Sequence, residues 1–429
     1  MQQTATELLV ETTRPSSLPK KVIYILVRAR TSPKIVRWTF LLFVFTFPIE
    51  SIDLAAIRGV SSLTRLVGLL FFSICLLYPK LCFRRPLRAL WWFAGYGFIY
   101  ILSGLFIPEQ FVNPFIVQLQ TFMQLLVLCW VGSTLLQEEK LARHTSLTFM
   151  IATLLPATGL LLNLPGFSET WGRGTRLAVA GFSPNSIALI MAMGAQALLG
   201  FGIEPTLRNI WMRVTFMTMS LFLLAAMVYT GARGGILACI AGVALYALPY
   251  YRSKRKMTAI LAVTIAVVAV VYFAVNNQNT LSRLAMTYET GTTAGRDKIF
   301  AASIEMIAEK PFLGWGPVVW APELGAREGR GFAERGTHNL FLYLLLEVGL
   351  LGTVPFLIGL GLCVRAAWTA RVCSLGLLPL VWLVTVLVGS MSLDLLRFKS
   401  LWFVLALSLA SEAFTIKQYK RKEFLRTLS

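Results

Sequence analysis

Twelve runs of mainly apolar residues, each near the length of a membrane-crossing helix, divide this chain between residues 35 and 416. They lie near 35–52, 62–79, 89–107, 115–135, 145–163, 181–202, 212–230, 234–250, 257–275, 338–363, 375–392 and 399–416. A helix needs about 20 such residues to cross the hydrocarbon core, and it satisfies every backbone N–H and C=O within itself. Composition agrees. Hydrophobic residues make up 56% of the 429 and charged residues 14%, where a soluble domain carries about 25% charged residues. The expected fold class is therefore all-α: a polytopic membrane protein with about 12 transmembrane helices and a partly helical loop domain on one side.

A net charge of +20 would suggest nucleic acid in a soluble protein. Here the basic residues sit in short connections between apolar runs, so bilayer orientation explains most of them and no nucleic-acid partner is expected. When the connections are assigned alternately to two sides, one side collects 26 of the 40. These lie in Arg14–Arg37, Lys80–Arg88, Lys140/Arg143, Arg208/Arg213, Arg252–Lys256, Arg365/Arg371 and Lys417–Arg426. That side is cytoplasmic and holds both termini. The expected organisation is a cytoplasmic segment 1–34, nine spans over 35–275, an outer loop 276–337, three spans over 338–416 and a basic tail 417–429.

Parity tests one break. Residues 214–251 hold a single charge, Arg233, and would otherwise form one very long helix. Eleven spans would then export the basic tail, so the run divides at Thr230-Gly-Ala-Arg-Gly-Gly235, where glycines permit a reversal. No cleaved signal peptide is read in the first 34 residues. The six cysteines show neither zinc spacing nor a disulfide framework.

Within the outer loop, Arg296–Lys310 carries apolar residues at Ile299, Phe300, Ile304, Ile307 and Ala308 and is expected to be helical. Thr292 or Thr293 would cap it, Pro311 follows its end, and Phe312–Pro317 reads as a turn.

There are two histidines. His144 sits beside Arg143 in a cytoplasmic connection and reads as a solvated side chain. His338 opens the tenth run at the outer boundary; it either helps Thr337 begin a helix or serves as a base with an ordinary pKa near ~6.5. Arg233, alone in its stretch, either snorkels to the interface or binds an anion beside the free N–H groups of a helix start. Arg296 begins a helix, where the macrodipole disfavours a cation; it either pairs with Asp297 or Glu289, or forms a phosphate-sized site. Arg173 and Arg176, in Trp171-Gly-Arg-Gly-Thr-Arg-Leu177, bring the outer arginines to a set suited to a diphosphate. The outer connections contain no Asp-x-Asp pair. No metal and no cofactor is expected.

The segment Gly336-Thr-His-Asn-Leu-Phe-Leu-Tyr-Leu-Leu-Leu-Glu-Val-Gly-Leu-Leu-Gly352 resembles the His-Asn … Glu-x-Gly motif of the O-antigen ligase and polymerase superfamily. Thr230–Gly235, Gly295-Arg296 and Phe312-Leu-Gly-Trp-Gly316 match two further elements in the same order, and Phe182-Ser-Pro-Asn185 matches more loosely. The resemblance implies a GT-C-like, inverting, metal-independent glycosyltransferase of the Gram-negative inner membrane. Its donor would be an undecaprenyl-pyrophosphate-linked glycan and its acceptor lipid A–core, joined at the periplasmic face. It also implies His338 as base and Arg233 and Arg296 on the donor diphosphate, with Asp394 orienting groups nearby. The related polymerase, which extends lipid-linked repeat units, shares these motifs. A transporter or flippase would place its charges at mid-membrane in paired halves, and a non-catalytic assembly subunit would be indifferent to His338. The sequence leaves the oligomeric state open.

Overall fold

The computed structural model describes residues 32–50, 63–164, 169–171, 176–179, 182–204, 207, 209–248, 256–278, 280–282, 285, 288, 296–329, 333–372 and 375–428. Each of the twelve apolar runs contains a helix: α1 (Lys34–Phe45), α2 (Leu63–Leu77), α3 (Arg88–Gly104), α4 (Val112–Leu135), α5 (Glu139–Leu161), α6 (Pro184–Ile203), α7 (Ile210–Tyr229), α8 (Arg233–Ala244), α9 (Lys256–Val275), then α12 (Leu340–Thr369), α13 (Leu378–Gly389) and α14 (Lys399–Leu428). Between α9 and α12 lie two more, α10 (Arg296–Glu309) and α11 (Trp320–Arg327). A hairpin of β1 (Glu169–Trp171) and β2 (Arg176–Ala178), with Thr170 opposite Leu177, precedes α6.

Seven helices among the described residues are long and apolar enough to cross a membrane, and α2, α8 and α13 are shorter apolar ones. The outward faces carry Trp38, Leu69, Trp91 and Trp211, all exposed. Such a surface suits lipid and not water. The chain is an all-α, multi-pass membrane protein.

The centre is α6, almost wholly buried and packed by α5, α7, α8 and α13. Its small residues allow close approach, and its polar groups are all tied. Thr385 Oγ1 donates to Gln196 Oε1 at 2.9 Å, Gln196 Nε2 donates to the Cys239 carbonyl at 3.2 Å, and Trp382 Nε1 reaches the Met193 carbonyl at 2.8 Å. A second group of helices forms where α12 packs on α3 and α14, and α14 on α4. The last helix continues to Leu428, so the expected basic tail is helical in its backbone.

The break between α7 and α8 falls at Thr230–Ala232, where Gly231 takes φ +67°. The loop helix ends at Glu309, one residue short of expectation. Its buried face is Ile299, Ala302, Ser303 and Met306, spaced three and four apart. Ile304 lies off that face and is 61% exposed, contrary to the stripe read from sequence. The expected caps Thr292 and Thr293, and Glu289, lie outside the described residues.

The Glu-x-Gly element has a structural reason. Gly349 leaves the helical path of α12 at φ 59°, ψ −162°, opening its hydrogen-bond ladder. The turn after α10 fills the opening. Leu350 N donates to the Pro311 carbonyl at 2.7 Å, Leu351 N to the Phe312 carbonyl at 3.1 Å, and Trp315 N to the Leu346 carbonyl at 2.7 Å. A Cβ on Gly349 would stand 2.3 Å from the Phe312 carbonyl carbon and oxygen, so only glycine lets the two backbones meet. Trp315 Nε1 also holds the Met306 carbonyl at 2.8 Å, and Lys310 Nζ sits 3.9 Å above its ring.

Candidate functional site

Four of the six residues singled out from sequence gather around one short segment, Ser390–Asp394, between α13 and α14. Asp394 is its polar hub. Its Oδ1 accepts from Thr337 Oγ1 at 2.6 Å and from Asn339 N at 3.0 Å, and its Oδ2 accepts from His338 N at 3.2 Å. The Ser390 carbonyl accepts from Leu340 N at 2.9 Å. The segment carrying the histidine is thus fastened, residue by residue, to the loop before α14.

His338 does not start the helix. Asn339 does: its side chain accepts from Phe341 N at 2.9 Å and Leu342 N at 3.3 Å, and α12 begins at Leu340. That leaves the imidazole unneeded as a cap. His338 also holds φ +52°, a conformation that costs a residue with a side chain free energy and persists only where its surroundings impose it. The Asp394 carboxylate on its N–H is one such constraint. Thr337 is fully buried, and His338 and Asp394 are partly accessible.

Arg233 and Arg296 are the first residues of α8 and α10. Arg296 Nη2 reaches the Ser392 carbonyl at 3.4 Å. The first turn of α8 lies against the same residue, since a Cβ on Gly234 would fall 2.3 Å from Ser392 Oγ. Burial, and then the like charge of Arg233, push the Arg296 pKa down, while Asp394 opposes them. A guanidinium remains protonated under such pressure. Two helix starts and two cations therefore adjoin the Ser390–Asp394 segment, and both effects favour an anion.

Of the hairpin arginines, Arg176 lies in β2 opposite Trp171. Its side chain, and the whole of Arg173, lie outside the described residues. His144 is exposed, as expected of a solvated residue.

A polar network lies beside this cluster. Glu347, with no exposed surface, accepts from Tyr96 Oη and from Tyr343 Oη, each at 2.6 Å. Arg397 Nη2 donates to Tyr343 Oη at 3.0 Å and to Gln118 Oε1 at 2.6 Å. The carboxylate inside the membrane helix is satisfied by two hydroxyls, and it holds Tyr343 one turn away on its own helix. Its membership of the resembling motif could be read from sequence; its partners could not.

Among the described residues, no group of three His, Cys, Asp or Glu is placed to hold a metal ion. No curated protein matches the chain. The family model described as O-antigen ligase matches residues 218–357, a stretch that takes in Arg233, Arg296, His338, Glu347 and Gly349 and stops before Asp394 and Arg397. About a third of the chain is thus similar to the O-antigen ligase family model, and the residues gathered at the site come both from that stretch and from the loop after α13.

Proposed function

We propose that this protein is an inverting, metal-independent glycosyltransferase of the Gram-negative inner membrane. It moves a glycan from undecaprenyl pyrophosphate to lipid A–core on the periplasmic side and so completes lipopolysaccharide. The observation that carries this reading is the meeting of Arg233, Arg296, His338 and Asp394 at Ser390–Asp394, from four separate parts of the chain. The outer placement of the site, with cytoplasmic termini and loop 276–337 outside, follows from the distribution of basic residues.

A lipid-linked pyrophosphate is already an activated leaving group. The acceptor hydroxyl oxygen bonds to the anomeric carbon as the bond from that carbon to the phosphate oxygen breaks, and the electron pair leaves with the pyrophosphate. Arg233 and Arg296 meet the charge that grows there, and stabilisation of this kind is a large term in catalysis. Imidazole is far less basic than an alkoxide, so His338 takes the hydroxyl proton only as attack proceeds. A single displacement inverts the anomeric centre. Asp394 holds the backbone on either side of the imidazole. Arg173 and Arg176 are assigned to the outer face of the donor by their position in the chain.

The family covers ligases and polymerases. Reconstitution separates them. The purified chain, given an undecaprenyl-pyrophosphate glycan and lipid A–core in EDTA without nucleotide, is expected to yield lipid A–core enlarged by the glycan. Transfer only onto a second lipid-linked glycan would assign the polymerase reaction instead, and no transfer to either would overturn the enzyme reading.

A further inference from the structure

A cavity of about 370 Å³ opens beside the cluster, within the roughly 300–1,000 Å³ of small-ligand sites. Its wall includes Trp320, Glu334, Arg335, Tyr343, Asp394 and Arg397. Neither donor arginine lines it. It shares Asp394 and Gly336 with the histidine segment: a Cβ on Gly336 would stand 2.8 Å from Asp394 Oδ2 and 3.9 Å from His338 Cε1. A ligand in the cavity therefore adjoins Gly336 and Asp394, the residues that flank and hold the histidine segment.

The cations around the cavity differ in how they are matched. Arg335 Nε is 2.9 Å from Glu328 Oε2, an ion pair too bent to count as a hydrogen bond, and Arg327 is paired to Glu309 and Glu323. Arg397 meets only neutral oxygens, those of Gln118 and Tyr343, and uses Nη2 alone for both. Among the described residues no carboxylate lies within ion-pair distance of it. A guanidinium has five N–H groups, so most of its donors remain for a ligand. The two aromatic walls, Trp320 and Tyr343, meet edge to face with centroids 5.1 Å apart, and the buried Trp320 Nε1 has no hydrogen-bond partner among the described residues. An aromatic-lined wall and a cation with guanidinium donors to spare, its charge answered by Glu347 only through Tyr343, suit a saccharide bearing an anionic group.

We propose that this cavity seats the accepting sugar, an anionic saccharide whose phosphate or carboxylate is held by Arg397. Arg397 is itself positioned by Tyr343 and Glu347. The proposal rests on the transferase reading above and adds the acceptor's place and charge to it.

Two measurements on the full chain in nanodiscs test it, one of them independent of catalysis. The first is equilibrium binding of a phosphorylated core oligosaccharide and of the same oligosaccharide after phosphatase treatment. The wild type is expected to bind the phosphorylated form at least tenfold more tightly, and Arg397→Ala to abolish that preference. Equal binding of both forms by the wild type, or a preference that survives in Arg397→Ala, would overturn the proposal even if transfer itself were never observed. The second is initial-rate kinetics against both substrates. Arg397→Ala and the cavity-filling Ala321→Phe, which leaves the Arg397 network intact, should each raise the acceptor KM at least tenfold with the donor KM within twofold. Arg397→Lys should fall between. A rise confined to the donor KM, or an unchanged acceptor KM in Ala321→Phe, would count against it. Loss of activity on His338→Ala or Arg296→Ala bears on the transferase reading alone.

Discussion

The carboxylate of Asp394 accepts the backbone N–H of His338 at 3.2 Å, across 56 residues of chain, and holds the histidine at positive φ. Asp394 holds the backbone on which the imidazole is mounted. Asp394→Ala takes an acceptor from three donors, but the Thr337 hydroxyl keeps the Asn339 carbonyl and Asn339 N keeps Thr337 Oγ1, so the loss, about 1–3 kcal/mol where water does not replace it, falls chiefly on the His338 N–H. Transfer is expected to fall roughly 10²-fold, with Asp394→Asn intermediate because its amide oxygen still accepts. Wild-type rates in a folded Asp394→Ala protein would remove it from the site.

His338→Ala is expected to slow transfer by roughly 10²–10⁴, the usual worth of a general base. Donor binding should change little. In the wild type, the neutral imidazole is the working form, so the rate should rise with pH as the imidazole loses its proton. A flat profile, or near-normal turnover in His338→Ala, would leave catalysis to the arginines and to oriented binding.

Arg233→Ala and Arg296→Ala should each impair transfer in a folded protein, chiefly through the donor. Lysine at either position keeps the charge but loses the planar fork, so rescue should be partial. Because the two cations repel one another, removing one should also raise the thermal stability of the substrate-free protein slightly. Full activity in Arg233→Ala would return that residue to interface snorkelling.

Gly349→Ala should lower the melting temperature sharply. The backbone conformation alone costs a non-glycine residue about 1–3 kcal/mol, and the new Cβ would strike the Phe312 carbonyl. Size-exclusion thermostability in detergent measures this. An unchanged midpoint would show that the turn detaches from α12 at little cost.

Reporter fusions at Lys254 and Glu323 should report opposite sides of the membrane, cytoplasmic and periplasmic, from the distribution of basic residues. The same side for both would displace the proposed site from the periplasm.

Sequence went furthest where a rule is local. Each apolar run contains a helix, seven of them long and apolar enough to cross a membrane among the described residues, and the glycines at 231, 234 and 235 marked the break at Thr230–Ala232, because both depend on neighbours in the chain. The resembling motifs brought His338, Arg233 and Arg296 forward, and Asp394 more weakly. What sequence did not supply was partnership at a distance. Gln118 and Arg397 are 279 residues apart, and Glu347 and Tyr96 are 251 apart, so no periodicity links them. The cap at Asn339 was missed for a smaller reason: Thr337 two residues earlier offers the same chemistry, and only the Asp394 carboxylate decides between them by engaging the threonine hydroxyl.

The splice at Gly349 also bears on how the molecule moves. Three main-chain hydrogen bonds join the turn Pro311–Trp315 to α12, and they place no demand on side-chain identity beyond the glycine. The turn and the adjoining part of that helix are therefore joined as one lever, with His338 at its tip. On the proposed function, two bulky, lipid-tethered substrates must still enter and leave. The yielding joint for that traffic has to lie outside the splice, so a cross-link within it would leave turnover intact while one spanning its borders would arrest it.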